Sequence, residues 1–271
     1  MYFIILLPLL FFMYVSNNYL SVSVHTLPRR GHKKSASSLS IVQISDLHNK
    51  SFGSRQSYLM KKIASLHPDL IAVTGDLVDG APFAHAAEFL KRASEICPVY
   101  VVRGNHESMA GNFAAFEKKM KGCHVYLLKN TFADFKKDGY TYRITGLDDP
   151  KFRGKDKNYT LLMKETLDKI VRRQKEGGAD YQILLSHRPE LFLLYSSYPF
   201  DLVLCGHAHG GQFRPPFTDG LYAPNQGIFP KYTSGAHKNN HTTEIISRGL
   251  GNSSFPLRLF NFPEIVKIVI K

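Results

Sequence analysis

Tryptophan is absent from this chain, and cysteine is scarce. Cys97, Cys123 and Cys205 are odd in number, and their spacing matches neither a CxxC pair nor a disulfide framework. This speaks against a zinc–thiolate knot and a stapled scaffold. The thiols read as reduced, with Cys97 and Cys205 as small buried hydrophobes beside apolar runs. No internal repeat is visible, and no helix-turn-helix or RNP aromatic pair appears, so no sequence-specific nucleic-acid partner is expected. Acidic residues are also few: 22 Asp and Glu against 35 Lys and Arg leave a net charge of +13. That surplus points to a polyanionic partner: a phosphorylated substrate, an anionic membrane surface or nucleic acid. What is present is ordinary for a globular protein, with 44% hydrophobic and 21% charged residues in 271, enough for one large α/β domain or two small ones.

No Lys or Arg precedes the apolar run YFIILLPLLFFMYV at residues 2–15, and no small-x-small cleavage site follows it. Both absences argue against a cleaved secretory signal. Extending the run through Tyr19, Leu20, Val22 and Val24 reaches the roughly 20 residues a membrane span needs. Residues 1–24 therefore read as a membrane anchor or uncleaved signal, residues 25–38 as a basic, Ser-rich linker, and residues 39–271 as the folded domain. The basic cluster Arg29, Arg30, Lys33 and Lys34 after the run places that domain on the cytoplasmic side by the positive-inside rule. A helix lying on the bilayer, with the cluster on anionic lipid, is a further reading.

From residue 40 apolar strand-length runs alternate with helical periodicity. Strands are expected at 40–45, 69–74, 99–102, 125–128, 140–145, 182–185, 202–205, 243–247 and 265–270. A turn at Lys137-Asp138-Gly139 would pair the fourth with the fifth. Helices are expected at 55–66, 83–96 (with Pro82 at its start), 112–120 and 159–173, the last ended by Gly177-Gly178. Early strands alternate with helices and later ones do not, which predicts an α/β fold with a mixed sheet, or two sheets packed face to face, and helices outside.

Five of these strands end in polar clusters: Asp46-Leu47-His48, Gly75-Asp76-Leu77-Val78-Asp79, Gly104-Asn105-His106-Glu107, His187-Arg188 and Gly206-His207-Ala208-His209. In α/β sheets ligands bind at the carboxyl ends of strands, so clusters scattered from residue 46 to 209 would meet at one edge. The inventory is carboxylate, amide and imidazole with no thiolate, which suits Mn²⁺, Fe²⁺ or Zn²⁺, with Mg²⁺ as a further option. The number of donors exceeds what one ion needs and points to two ions sharing a carboxylate.

The order D-x-H, G-D-x-x-D, G-N-H-E, H, G-H-x-H resembles the calcineurin-like metallophosphoesterase superfamily over residues 41–212. The tail further resembles its bacterial membrane-anchored or exported branch, which includes enzymes that cleave the pyrophosphate of UDP-2,3-diacylglucosamine. The resemblance implies a four-layer sandwich and roles for the residues. Asp46, His48 and His209 would hold one ion, and Asn105, His187 and His207 the other. Asp76 would bridge both, and His106 would protonate the leaving oxygen while a metal-bridging hydroxide attacks phosphorus. Asp79 reads as a partner of such a group or a turn residue, and Glu107 as an orienting or capping group. Asp148 and Asp149 read as an Asp-Pro turn or substrate neighbours, and Arg188 as a surface residue or a phosphate contact. Residues 213–242 form a long Pro- and Gly-rich loop, expected to lack regular structure, whose Arg214, Lys231 and Tyr232 are candidate substrate contacts. The expected activity is metal-dependent hydrolysis of a phosphodiester or pyrophosphate in a lipid-linked or envelope substrate. A nuclease or nucleotide phosphodiesterase with the same site, and an inactive metal-binding scaffold, remain as alternatives.

Overall fold

Successive residues of the central strands are apolar on both sides of the pleat, so each strand can be covered on both faces. In β2 (Leu39–Ile44), Leu39 and Ile41 pack to one side and Val42 and Ile44 to the other, all fully buried. The computed structural model describes residues 2–29, 37–80, 83–110, 113–154, 158–174, 178–252, 255 and 257–271. Within these, β2 belongs to a six-stranded sheet ordered β1 (Ser21–Leu27), β14 (Glu264–Ile270), β2, β3 (Leu70–Thr74), β4 (Val99–Val102), β5 (Val125–Leu127). Strands β2 to β5 are parallel, β14 runs antiparallel to β2, and β1 runs parallel to β14. A second six-stranded sheet is ordered β12 (Gly235–Asn239), β13 (Thr242–Ile246), β9 (Leu202–Cys205), β8 (Tyr181–Leu185), β7 (Tyr140–Gly146), β6 (Thr131–Lys137). Its four inner strands are parallel and its two edge strands antiparallel to their neighbours.

The sheets face each other through one apolar layer, with Ile41, Leu70, Ala72 and Val102 on one side and Ile144, Ile183, Leu185, Leu204 and Ile245 on the other. Each large side chain buried there contributes about 2 kcal/mol of transfer free energy. Gln43 crosses this layer, its amide donating to Thr74 Oγ1 and to the Cys205 carbonyl at 3.1 and 2.8 Å. That tie sets the carboxyl ends of β2 and β9 against each other. The outer face of the first sheet is covered by α2 (Ser57–Ala64), α3 (Ala84–Ser94) and α5 (Phe113–Met120), and that of the second by α6 (Tyr159–Arg173) and α7 (Phe192–Tyr195). The result is a helix–sheet–sheet–helix arrangement.

Several expectations need correction. The membrane anchor does not hold: among the described residues, no helix is long and apolar enough to cross a membrane. The apolar run forms α1 (Tyr2–Asn18), 17 residues with Pro8 inside it, which is only about 26 Å at 1.5 Å per residue. Val22 and Val24, needed to complete a span, lie instead in β1, hydrogen-bonded along Ser21–Leu27 to β14. A strand has already used its backbone groups in the sheet, so the apolar count across the helix–strand junction is not the length of one element. The single membrane segment falls with it, and the cytoplasmic placement of the domain loses its basis. Arg30, Lys33, Lys34 and the rest of residues 30–36 of the linker lie outside the described residues, as do Pro82, Asn112 and Gly177. The turn at Lys137-Asp138-Gly139 joins β7 to β6, whereas β5 pairs with β4 in the other sheet. Residues 213–242 contain β12 and a short hairpin, β10 (Tyr222–Ala223) with β11 (Gly227–Ile228).

Removing residues 1–27 strips β14 of its parallel neighbour and leaves its hydrogen-bonding edge open. The truncated chain is expected to melt lower than the full chain and to self-associate on size-exclusion chromatography. A monomeric truncation with an unchanged melting temperature would contradict the role given to β1.

Candidate metal centre

The five polar clusters follow β2, β3, β4, β8 and β9, and all five strands end on the same side of the two sheets. What the chain does after each strand is unusual. Asp46, His48, Asp76, His207 and His209 have φ between 47° and 66°, the left-handed region that non-glycine residues seldom occupy. Each turns sharply at the strand end, so its side chain points back across the sheet edge. Space there is tight enough to require glycine at two neighbours. A Cβ on Gly104 would lie 2.2 Å from Asp76 Oδ1, and one on Gly206 would lie 1.9 Å from Ser45 Oγ and 2.3 Å from Asp46 Oδ2.

One carboxylate holds the turns that follow β3 and β4. Glu107, in the short helix α4 (Asn105–Met109), accepts at Oε2 from the Gly104 and Asp76 amides at 2.7 and 2.9 Å. Its Oε1 accepts from Leu77 and Val78 at 2.7 and 3.2 Å. Asp76 Oδ1 in turn accepts from the His106 amide at 2.8 Å. Burial and the nearby charge of Asp76 push Glu107 up to about 7, against the pull of these donors.

Two fully buried donor sets result. The ligand atoms of Asp46, His48 and His209 lie within 4.8 Å of one another, as do those of Asp76, His187 and His207. In the first set His48 Nε2 stands 3.2 Å from His209 Nε2, and His209 Nε2 3.4 Å from Asp46 Oδ1. In the second, His187 Nε2 is 3.1 Å from Asp76 Oδ2, from His207 Nδ1 and from Asn105 Oδ1. Asp76 Oδ2 also lies 3.8 Å from His48 Nε2, so one oxygen faces both sets. His187 donates from Nδ1 to the Thr74 carbonyl at 2.7 Å, which leaves Nε2 turned to the centre. All the sequence-expected ligands are thus brought together. They are oxygen and imidazole donors, buried and convergent, which is the chemistry a pair of divalent cations requires.

The electrostatics fit the same use. Burial holds His207 and His209 well below the usual imidazole range and, despite Asp76, pushes His48 down to about 4. These rings are neutral, as ligands must be. Burial opposes charge on both Asp76 and His187, yet each offsets it for the other. Asp76 is held well below the carboxylate range, and His187 is pushed up to about 10.

His106 stands at the rim. Its Nδ1 lies 3.0 Å from Asp79 Oδ1, its Nε2 3.9 Å from Asp76 Oδ2, and its ring packs edge-on against His48. A cavity of about 660 Å³ opens over the donors, with Lys151 and Arg188 in its wall and Met109, Phe213, Leu221, Tyr222 and Phe255 forming an apolar side. Arg188 is not a surface residue: it is 1% exposed and its guanidinium bonds Asp149 at 2.6 and 3.2 Å. Asp148 instead pairs with Arg103. The three loop residues expected to touch substrate do other things here. Arg214 donates to the Gly210 and Asp219 carbonyls and to Ser234 Oγ. The exposed Lys231 lies over the Tyr232 ring, and Tyr232 packs against Phe192 and His237. Lys151, Leu221, Tyr222 and Asn225 line the cavity without having been singled out. Lys151 follows β7 closely, and its place after a strand end was the one available signal. Nothing in sequence order brings residues 221–225 back to the histidines.

A family model described as calcineurin-like phosphoesterase matches residues 39–211. The uncharacterized metallophosphoesterase YkuE of Bacillus subtilis is 27% identical over 265 residues, covering 95% of this chain and 88% of that protein. The phosphodiesterase YaeI of Escherichia coli is 26% identical over 244 residues, covering 87% and 83%. Among solved structures, the NAD nucleotidase NadN of Haemophilus influenzae shares the fold, with a TM-score of 0.52 at 19% identity over 79% of this chain and 46% of that one.

Glu107→Ala would leave four buried amides without an acceptor. At about 1–3 kcal/mol for an unsatisfied group, a loss of at least ~3 kcal/mol is expected in urea unfolding, and a smaller loss for Glu107→Gln, which keeps one oxygen. A second expectation concerns protons. A cation taking His187 Nε2 must displace the proton that Asp76 holds there, and acidification favours that proton. Cation affinity is therefore expected to rise with pH between 6 and 9, by up to about tenfold per unit for each proton released. Calorimetric Mn²⁺ titrations in two buffers of different ionisation enthalpy check this; zero proton release at pH 7 would contradict it.

Proposed function

The chain belongs to the calcineurin-like phosphoesterase family and is a phosphoester hydrolase with a dinuclear divalent metal site, and from that premise we propose that it cleaves a phosphodiester or pyrophosphate bearing an apolar substituent, such as a lipid-linked phosphate. The observation that carries the reading is Asp76 Oδ2, which faces both donor sets with His106 Nε2 beside it. Asp46, His48 and His209 would hold one cation, and Asn105, His187 and His207 the other, with Asp76 shared between them. Mn²⁺, Fe²⁺ or Zn²⁺ matches these donors. When bound, the ions supply Lewis acidity toward the phosphoryl oxygens and lower the pKa of water.

The chain's own groups do the rest. Asp79 accepts from His106 Nδ1–H and orients the ring, so that Nε2, protonated in the imidazolium form, is the atom that hands a proton to the leaving oxygen. Lys151 offers a positive charge to the phosphoryl end of the substrate. Met109, Phe213, Leu221 and Phe255 give an apolar substituent a surface to lie on. The similarity to the phosphodiesterase YaeI of Escherichia coli supports the diester class. A nucleotide phosphodiesterase is the second reading, favoured by the half-exposed rings of Tyr222 and Phe255, on which a base can stack.

The test uses purified protein with Mn²⁺, Zn²⁺ or Mg²⁺ against bis-nitrophenyl phosphate, a long-chain alkyl nitrophenyl phosphodiester and a nucleotide diester. Metal-dependent release of nitrophenol is expected, with the alkyl ester showing the lowest KM. His106→Ala is expected to lose about 100-fold or more in kcat with both ions retained, and Asp76→Ala to lose turnover and metal together. Preference for the nucleotide diester would select the second reading. Metal-independent turnover unchanged in both variants would defeat both readings.

A further inference from the structure

The hairpin β10–β11 begins thirteen residues beyond His209, the last expected ligand, yet its turn returns to the metal centre. Asn225, in the left-handed region at φ 61°, brings its side-chain amide to 3.0 Å from His207 Nε2. The other ring nitrogen, Nδ1, is the one turned toward His187, at 3.1 Å. An imidazole that offers a lone pair from Nδ1 to a cation carries its proton on Nε2, and that proton then needs an acceptor. A half-turn of the Asn225 amide presents its oxygen to this proton.

We propose that Asn225 is a positioning residue for the second cation: it accepts from His207 Nε2–H, fixes the ring with Nδ1 toward the ion, and so makes the cavity-lining hairpin part of the metal site. The proposal rests on His207 being a ligand, as in the reading above.

The hairpin is built to hold that contact. Gln226, next in sequence, donates to the Tyr232 carbonyl at 2.7 Å and accepts from the Tyr232 amide at 3.0 Å. At its base, Leu221 donates to the Gly211 carbonyl at 2.9 Å. A Cβ on Gly211 would lie 2.5 Å from Gly220 Cα, so the segment leaving the histidines and the one returning to them touch backbone to backbone. The amide therefore reaches His207 from a braced turn and not from a free loop, which is the condition for fixing a ring orientation.

The test measures Mn²⁺ binding to the full chain by calorimetry and metal analysis, with no substrate present. Asn225→Leu is expected to weaken the second ion about 10–100-fold and leave the first unchanged. Asn225→Asp, isosteric and an acceptor at both oxygens, is expected to restore the second affinity. Equal binding of both ions by Asn225→Leu and wild type overturns the proposal, as does an Asp variant as weak as the Leu variant. Gln226→Ala loosens the same turn without touching His207 and sets the baseline for a general disturbance. Second-site weakening in Asn225→Leu beyond that baseline supports the proposal, and weakening equal to it overturns it. A wild type that binds one ion alone defeats the dinuclear reading and this inference together, whereas binding of two ions without phosphoester turnover defeats only the substrate assignment.

Discussion

The centre depends on one buried carboxylate that binds no candidate ligand atom. Glu107 gathers the amides of Gly104, Asp76, Leu77 and Val78, the two turns that leave β3 and β4. Those turns carry Asp76, Asn105, His106 and Asp79. Without an acceptor, four amides pointing into one buried space would repel each other and the turns would separate. With it, the oxygen of Asp76 is held where both donor sets reach it. A negative charge placed under a cation site also lowers the cost of gathering positive charge above it.

Such a site is assembled against local preference. Five of its ligands occupy left-handed backbone, and three of their histidines are too buried to carry charge easily. Strain of this kind persists where the surroundings over-determine it. Here they do so through the apolar layer between the sheets and the Gln43 cross-tie, which fix the relative positions of the strand ends before any turn is made. The free energy comes from the sandwich, and the turns draw on it.

The long segment after the histidines plays a different part from that of a disordered lid. Backbone contact at Gly211 and Gly220, the Arg214 guanidinium and the Gln226–Tyr232 pair fold it back over the centre. Arg214 and Tyr232 thus act on the substrate surface indirectly, by holding Leu221, Tyr222 and Asn225 in the cavity wall. A chemical argument from residue type alone favours a cation or a phenol as the group that touches phosphate. In the folded chain Arg214 is bound to backbone carbonyls and the Tyr232 ring packs on Phe192 and His237, so this segment turns Leu221, Tyr222 and Asn225 to the cavity instead.

Much of this protein is legible in its sequence. Apolar runs of strand length name most inner strands, and the polar clusters that follow them name every member of both donor sets, because strand and motif are properties of a few adjacent residues. The strands added at the edges are not legible in the same way. β1, β6 and β12 are half-exposed, their apolar pattern is weak, and what makes them strands is hydrogen bonding to β14, β7 and β13. For the same reason the apolar beginning of the chain reads as one long span, until β1 is seen to be paired. The tertiary structure alone decides which oxygen of Asp76 faces both sets, that Arg188 is buried against Asp149, and that Asn225 meets His207. Each of these is a contact between residues 18 or more positions apart, and a contact of that range is set by how the two sheets are stacked and not by the order of the residues that make it.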